Sequence, residues 1–352
     1  LLRHLLRAEL TQSPSTPVPA GPTAQAPLPR LPPELRDRIT LAPGALDEAG
    51  RASGPIRLPP QAVAVPRDPA EVAALVSWAS EHGVPLVPRG AGTGMPGGNV
   101  GPGVSVDLRG LGDVTVDPES GTARVGPGLV ADELDAAAAP HGLFFPAAPS
   151  SSDRCTLGGM VANNAAGARS FGYGTVRDRV EAVELVLADG SRAVIERGAS
   201  LAPRLAELRR SLRPRAGRAV EERWPRVRKN SSGYGLDRFL PDGDGVALAC
   251  GSEGTLGVVI GARVRLAPRP SDRVVLLLSA ASVDELGPLA DAAEEAGAAA
   301  CEFLGRRFLE IAGLARHPQV GELAARSEAL VLVELDGARR PVAEGLGIVR
   351  EA

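Results

Sequence analysis

Pro88-Arg89-Gly90-Ala91-Gly92-Thr93-Gly94 continues through Met95 and Pro96 to Gly97, Gly98 and Asn99, and this stretch decides the fold. Closely spaced glycines let successive backbone N–H groups converge on an oxyanion with no Cβ in the way. Thr93 adds a hydroxyl donor. Taken alone, the stretch fits either a pyrophosphate cradle or a glycine-rich surface turn. It lacks the G-x-G-x-x-G spacing that opens directly into a helix. No acidic residue follows at the ribose position of a clear βαβ unit, so a Rossmann nucleotide site is disfavoured.

The segments on either side predict a mixed α+β chain. Residues 62–65 read as a strand. Asp68 then offers an N-cap, Pro69 occupies N1 and Glu71 has capping-box spacing, which predicts a helix over 70–81 ending at Gly83. A strand at 84–87 leads into the glycine loop. Further strands are expected at 104–107, 113–117, 122–126, 181–188, 192–196, 246–250 and 257–266. Helices are expected at 129–139, stopping at Gly142, and at 201–224. Many short strands without steady βαβ alternation point to α+β. After Pro268 and Pro270 the rhythm changes. Strands at 274–279, 300–304 and 329–335 alternate with helices at 283–296 and 306–314, a helix or loop at 317–326, and a helix starting near Pro341.

Two more small-residue motifs follow the first. Cys155-Thr156-Leu157-Gly158-Gly159-Met160-Val161-Ala162-Asn163-Asn164-Ala165-Ala166-Gly167 has helical periodicity and lets another group approach its backbone. A helix packed tightly on a sheet would read the same way. Phe171-Gly172-Tyr173-Gly174-Thr175-Val176-Arg177-Asp178 continues it with more backbone donors. Gly251-Ser252-Glu253-Gly254-Thr255-Leu256-Gly257, expected between two strands, fits a cofactor loop or a glycine-rich hairpin.

Composition removes several classes. The chain has 352 residues, 44% of them hydrophobic, and a formal net charge of -3, so nucleic acid is not an expected partner. Lys229 is the only lysine among the 39 basic residues. Three scattered cysteines (Cys155, Cys250, Cys301) form no C-x-x-C pair, which argues against a disulfide framework or a Cys-ligated metal site and fits a reducing, cytoplasmic setting. No apolar run approaches the roughly 20 residues of a membrane span. Residues 1–10 suggest a short amphipathic helix, and 11–33, rich in Pro, Ala, Ser and Gln, a disordered lead.

Together the three motifs resemble the FAD-binding domain of the vanillyl-alcohol oxidase superfamily over residues 60–268. The resemblance implies a disordered lead at 1–33, a PCMH-type two-subdomain FAD-binding domain at 34–268, and part of a ferredoxin-like α+β cap at 269–352. It assigns Arg89, Gly90, Ala91, Gly92, Thr93 and Gly94 to the FAD pyrophosphate. Gly158, Gly159, Asn163, Gly167 and Val259 go to the rest of the cofactor. The loop has no His or Cys for covalent attachment, so FAD is expected to bind non-covalently; Cys155 is the one residue that leaves this open.

Within the superfamily, Arg228-Lys229-Asn230-Ser231-Ser232-Gly233-Tyr234 resembles an element of D-lactate, glycolate and D-2-hydroxyglutarate dehydrogenases, some of which append an iron–sulfur domain. A polar turn is the plainer reading of those residues. The resemblance implies hydride transfer from a D-2-hydroxy acid to FAD, with Arg177, Lys229, Asn230 and Tyr234 as candidates to face substrate or flavin. No catalytic base is assigned, since His4, His82, His141 and His317 read as structural or peripheral. No metal is expected in this chain. Any iron–sulfur cluster would lie in a further domain or subunit, and the electron acceptor is unnamed. Alternatives are an FAD oxidase acting on sugars or alkyl-ether lipid precursors, UDP-N-acetylmuramate enolpyruvyl reductase, and a non-catalytic FAD-binding chain.

Overall fold

The computed structural model describes residues 27–227 and 229–351. The helix expected at 1–10, most of the lead at 1–33, His4 and Arg228 lie outside them. Within the described part the lead is shorter than expected. Leu28 and Leu31 already pack on the core, and Trp78 Nε1 donates to the carbonyl of Arg30 at 3.2 Å.

The first sheet contains β1 (Ile39–Thr40), β2 (Ala62–Ala64), β3 (Leu86–Arg89) and β4 (Val104–Asp107), in spatial order β1-β2-β4-β3. β2 and β3 both run parallel to β4, which lies between them. The helix Pro69–His82 makes the crossover from β2 to β3. Its start follows the sequence closely. Asp68 accepts from the amides of Ala70 and Glu71, both at 2.8 Å, and Gly83 closes the helix in the left-handed region at φ 65°. Glu71 turns back one residue further than a capping box requires, accepting from the Arg67 amide at 2.8 Å. The strand expected at 84–87 begins at Leu86, because Val84 donates back to Ala79 and completes the helix exit.

The second sheet is antiparallel throughout. β5 (Val114–Asp117) and β6 (Thr122–Val125) form a hairpin. β7 (Leu143–Phe144) lies outside this sheet, β8 (Val180–Val186) and β9 (Arg192–Glu196) pair, and β10 (Val258–Arg265) inserts between β6 and β8. β11 (Ala267–Pro268) pairs only with β7. The register shift between Val259 and Gly261 on β10 reverses which residues face which layer. Before it, Val258 and Ile260 face the helix Pro69–His82 while Val259 faces the opposite core; after it, Ala262 and Val264 share the side of Val259. β10 is therefore buried on both faces over residues 258–262, while Arg263 and Arg265 are exposed, and it brings Val259 towards the helix Leu157–Ala162.

One element differs in type. Residues 246–250, expected as a strand, fall in the helix Gly245–Ala249. A short apolar run carries no period that separates helix from strand. Asp244 decides it by capping the amide of Ala247 at 3.0 Å. The third motif thus joins a helix to β10, and the hairpin reading is excluded. The helix Pro203–Arg223 matches the expected 201–224 and buries Gly217 and Val220.

The C-terminal layer is a three-stranded antiparallel sheet, β12 (Val274–Ala280), β13 (Ala300–Gly305) and β14 (Ala329–Leu335), with β14 in the centre. The helices Leu286–Glu295 and Val342–Glu351 pack together on one face. This layer is fastened to the segment that follows the second motif. Arg169 Nε donates to Glu334 at 2.8 Å, Tyr173 Oη to Asp336 at 2.6 Å, and the Gly172 amide to Ala299 at 3.0 Å. α+β is the observed class. Among the described residues no helix is long and apolar enough to cross a membrane.

A charged seam ties the short helix Val176–Arg179 to the helix Leu236–Asp242. Arg177 pairs with Asp237 at 2.8 Å, and Asp178 accepts from Arg238 at 2.6 Å and from the Thr175 amide at 2.7 Å. Burial opposes ionisation of Asp178, but the charge and hydrogen bond of Arg238, with the Thr175 donors, outweigh it and hold the carboxyl below its usual range. A lowered folded-state pKa gives stability that is present above the unfolded value and is lost as pH falls through the folded one. Asp178→Asn is expected to flatten the acid limb of a plot of urea midpoint against pH. An unchanged acid limb would show that other carboxyls govern it.

Candidate functional site

The three glycine motifs meet at one cavity of about 430 Å³, between the first sheet and the β10 side of the second. The loop 88–99 leaves β3 and forms one wall. The segment 155–165 forms another, and Glu253, Gly254, Gly257 and Val259 close a third. Ser231 and Ser232, from the element resembling the hydroxy-acid dehydrogenases, also reach it.

The walls can approach each other because particular positions lack a side chain. A Cβ on Gly90 would stand on the Thr156 hydroxyl, and one on Gly158 would meet Pro127 Cβ at 2.6 Å. Gly158 donates to the Pro127 carbonyl at 2.9 Å, which fixes the start of the helix Leu157–Ala162 against the turn after β6. Gly92 sits at φ 74°, a conformation that glycine adopts at little cost.

Among the described residues, the backbone N–H groups of Gly90, Ala91, Gly92, Thr93 and Gly94 donate to no protein acceptor. Five consecutive uncommitted donors on the wall of a cavity form a binding surface for an anion. Two side-chain atoms add to it. Thr156 Oγ1 and Asn99 Oδ1 are buried and have no hydrogen-bond partner among the described residues. Buried polar atoms are ordinarily paired, so both are suited to a polar ligand. A narrow, mixed polar and apolar cavity with a run of free amides fits a dinucleotide with a central pyrophosphate.

Arg89 occupies a different place from a ligand-facing arginine. Its guanidinium is buried and donates to the carbonyls of Arg51 (3.0 Å), Glu48 (3.1 Å), Asn99 (3.3 Å) and Ala49 (3.4 Å). It lies beneath Gly92, where an added Cβ would meet it. Burial pulls its pKa down from the ordinary value, though the guanidinium stays charged. Arg89 therefore orders the loop through its hydrogen bonds and reaches the cavity chiefly as a positive charge beneath the free amides.

Gly158, Gly159, Asn163 and Val259 line the cavity, while Gly167 does not. Gly167 is needed for packing, since a Cβ would fall on the Ala148 carbonyl. Asn163 Nδ2 donates to the Gly159 carbonyl at 2.9 Å. Cys155 lines the cavity too. Its thiol is pushed up from the ordinary value, mainly by burial, and so stays protonated and weakly nucleophilic near neutral pH.

Of the residues expected near substrate, Arg177 does not line the cavity and gives both terminal nitrogens to a carboxylate, while its buried Nε has no partner among the described residues. It is buried, makes two hydrogen bonds to Asp237 (2.8 and 3.1 Å), and its amide is held by Asn164 Oδ1 at 2.9 Å. Tyr234 Oη meets Thr255 Oγ1 at 2.6 Å, and Thr255 Oγ1 donates its proton to the Ser252 carbonyl at 2.6 Å. A hydroxyl has one proton, so Tyr234 is the donor and serves to lock its own loop onto the third motif. Asn230 holds the Ser232 amide at 3.1 Å. Lys229 has no carboxylate within ion-pair distance among the described residues, and its Nζ lies 3.4 Å from the Gly167 carbonyl.

The described histidines stand apart from the cavity. His82 Nδ1 donates to the Trp78 carbonyl at 2.7 Å, His141 ends a short turn, and His317 accepts from the Gln319 amide. Thr156, Asn99, Ser231, Ser232 and Glu253 are cavity residues that the sequence reading did not single out. Thr156 stands beside the Gly158-Gly159 pair, a signal that could have marked it. The pairing of Thr156 with Gly90 depends on a contact between distant segments.

The family described as FAD binding domain matches residues 60–195. Among curated relatives, the D-lactate dehydrogenase of Archaeoglobus fulgidus is 34% identical over 252 residues, covering 71% of this chain and 48% of that protein. The glycolate oxidase subunit GlcD of Bacillus subtilis is 32% identical over 283 residues, covering 79% and 52%. A D-2-hydroxyglutarate dehydrogenase of Pseudomonas putida is 34% identical over 237 residues, covering 62% and 24%. The chain thus spans about half the length, or less, of these relatives. A solved alkyldihydroxyacetonephosphate synthase superposes with a TM-score of 0.67 at 16% identity, covering 93% of this chain and 60% of that one. At that identity the likeness establishes the fold, which is the PCMH-type arrangement expected.

Proposed function

We propose, on the premise that residues 60–195 match the FAD binding domain family, that this chain is the flavin-holding part of a dehydrogenase that oxidises a D-2-hydroxy acid. The observation that carries the reading is the run of five free amides at Gly90 to Gly94, on the wall of a cavity that the orphaned hydroxyl of Thr156 also lines. Three curated relatives of this class, at 32–34% identity, support the choice of substrate: D-lactate, glycolate or D-2-hydroxyglutarate.

In this reading the amides of 90–94 hold the pyrophosphate, with the Arg89 charge beneath them. Thr156 and Asn99 offer hydrogen bonds along the cofactor. Gly158 and Gly159 let it approach the backbone, while Met160 and Val259 present an apolar wall that keeps water from it. Bound FAD supplies the hydride acceptor, and the protein contributes orientation and electrostatics. Cys155, protonated and hemmed in, leaves the cofactor non-covalently held. Residues 34–268 form the flavin domain and 269–352 belong to a cap. An iron–sulfur domain or subunit is the candidate partner, the electron acceptor is unassigned, and the setting is cytoplasmic.

The test is anaerobic mixing of the FAD-loaded protein with D-lactate, glycolate and D-2-hydroxyglutarate, followed by absorbance. Bleaching by one of these, and by neither L-lactate nor sugars, is the expected result. Bleaching by sugars alone would replace the substrate class.

A further inference from the structure

We infer that the short hairpin 50–58 is the positioning element of the pyrophosphate loop, and that Ser53 and Gly54 at its tip set where the amides of 90–94 stand. The inference rests on the FAD reading alone and holds for any substrate. A loop of this composition cannot hold its own shape. Glycine loses more backbone freedom on ordering than other residues, and the amides of 90–94 donate to no protein acceptor among the described residues. Contacts from outside the loop must order it, or cofactor binding itself carries that cost.

The hairpin is itself fastened. Arg51 and Arg57 form an antiparallel bridge, the Ala52 amide donates to the Ile56 carbonyl at 3.2 Å, and the Leu58 amide to that of Gly50 at 2.8 Å. Asp47 accepts from the guanidinium groups of both Arg51 and Arg57. A Cβ on Gly50 would meet Pro59 Cα at 2.7 Å, so the two arms close tightly at their base. These residues precede the stretch 60–195 that the family matches, and Ser53, Gly54 and Ile56 do not line the cavity.

The hairpin grips the loop at three points. Ser53 Oγ donates to the Gly92 carbonyl at 3.1 Å. A Cβ on Gly54 would lie 2.3 Å from the Met95 carbonyl oxygen, and one on Gly97 would meet Ile56 Cδ1 at 2.7 Å. The rigid trans peptide plane turns the first contact into a direction for a donor. The Gly92 carbonyl and the Thr93 N–H share one plane and point opposite ways, so the bond from Ser53 aims the Thr93 amide away from the hairpin. Arg89 and Asn99 tie the two ends of the loop to the same segment, through the carbonyls of Glu48, Ala49 and Arg51.

The test uses the apoprotein, titrated with FAD by fluorescence and with ADP and riboflavin by displacement of FAD. ADP carries a pyrophosphate without the flavin, and riboflavin the flavin without a pyrophosphate. Gly54 lies outside the left-handed region, so Gly54→Ala adds only the contact with Met95. It should weaken the binding of FAD and of ADP by the same factor, about 10- to 100-fold, and leave that of riboflavin unchanged. Ser53→Ala should weaken FAD and ADP binding by about threefold through one lost hydrogen bond, and Ser53→Thr, which keeps the hydroxyl, should restore both. FAD and ADP affinities in Gly54→Ala equal to those of the unmodified protein would overturn the assignment, and so would an equal loss for riboflavin. If the unmodified protein binds neither FAD nor ADP, the FAD reading itself fails.

Discussion

Gly90→Ala is expected to weaken FAD binding on the order of 100-fold, a penalty typical of forcing a methyl into a closed contact. The added Cβ would occupy the place of Thr156 Oγ1, so either the glycine loop or the helix Leu157–Ala162 must withdraw. Withdrawal disperses the amides of 90–94 and opens the cavity. The same contact supplies an internal control. With the Thr156 hydroxyl removed, the nearest remaining atom, Thr156 Cβ, lies 3.4 Å from the new methyl, an ordinary packing distance. Gly90→Ala combined with Thr156→Ala should therefore bind FAD about tenfold more tightly than Gly90→Ala alone, although Thr156→Ala by itself costs about 3- to 10-fold through one lost hydrogen bond. Fluorescence titration of the apoprotein reads all three variants. Simple additivity would show that the Gly90–Thr156 approach does not shape the site.

Arg89→Met should destabilise the fold by about 3 kcal/mol, because it removes hydrogen bonds made by a buried charged donor. Four carbonyls lose a partner: three from the segment 48–51 and that of Asn99. Arg89→Lys separates charge from geometry. A lysine keeps the charge but cannot reproduce the planar fork, so most of the loss should persist in denaturant unfolding. Full recovery with lysine would mean that the arginine works through charge alone, and its bonds to 48–51 would then count for little.

The sequence made some of this legible and hid the rest, for identifiable reasons. The helix Pro69–His82 was readable because its signals are local: Asp68 caps it, Pro69 opens it and Gly83 ends it. Strands β4 and β9 were found at their observed bounds by composition alone. The helix Gly245–Ala249 was misread because five small apolar residues carry no period, and the capping Asp244 was passed over. Glycine spacing correctly marked the cavity walls. The fate of each arginine was out of reach, since Arg89 finds three of its four partners 38–41 residues away and Arg177 its carboxylate 60 residues away. Thr156 and Asn99 were missed because an orphaned oxygen is a property of packing.

The central claim is that the convergence of the loop 88–99, the segment 155–165 and the 253–259 turn makes an FAD site. The most direct measurement is the visible absorbance of the purified chain before and after denaturation, with the released chromophore identified by chromatography. A yellow protein that gives up free FAD to the supernatant is the predicted result. A colourless protein that takes up no FAD on reconstitution would contradict it.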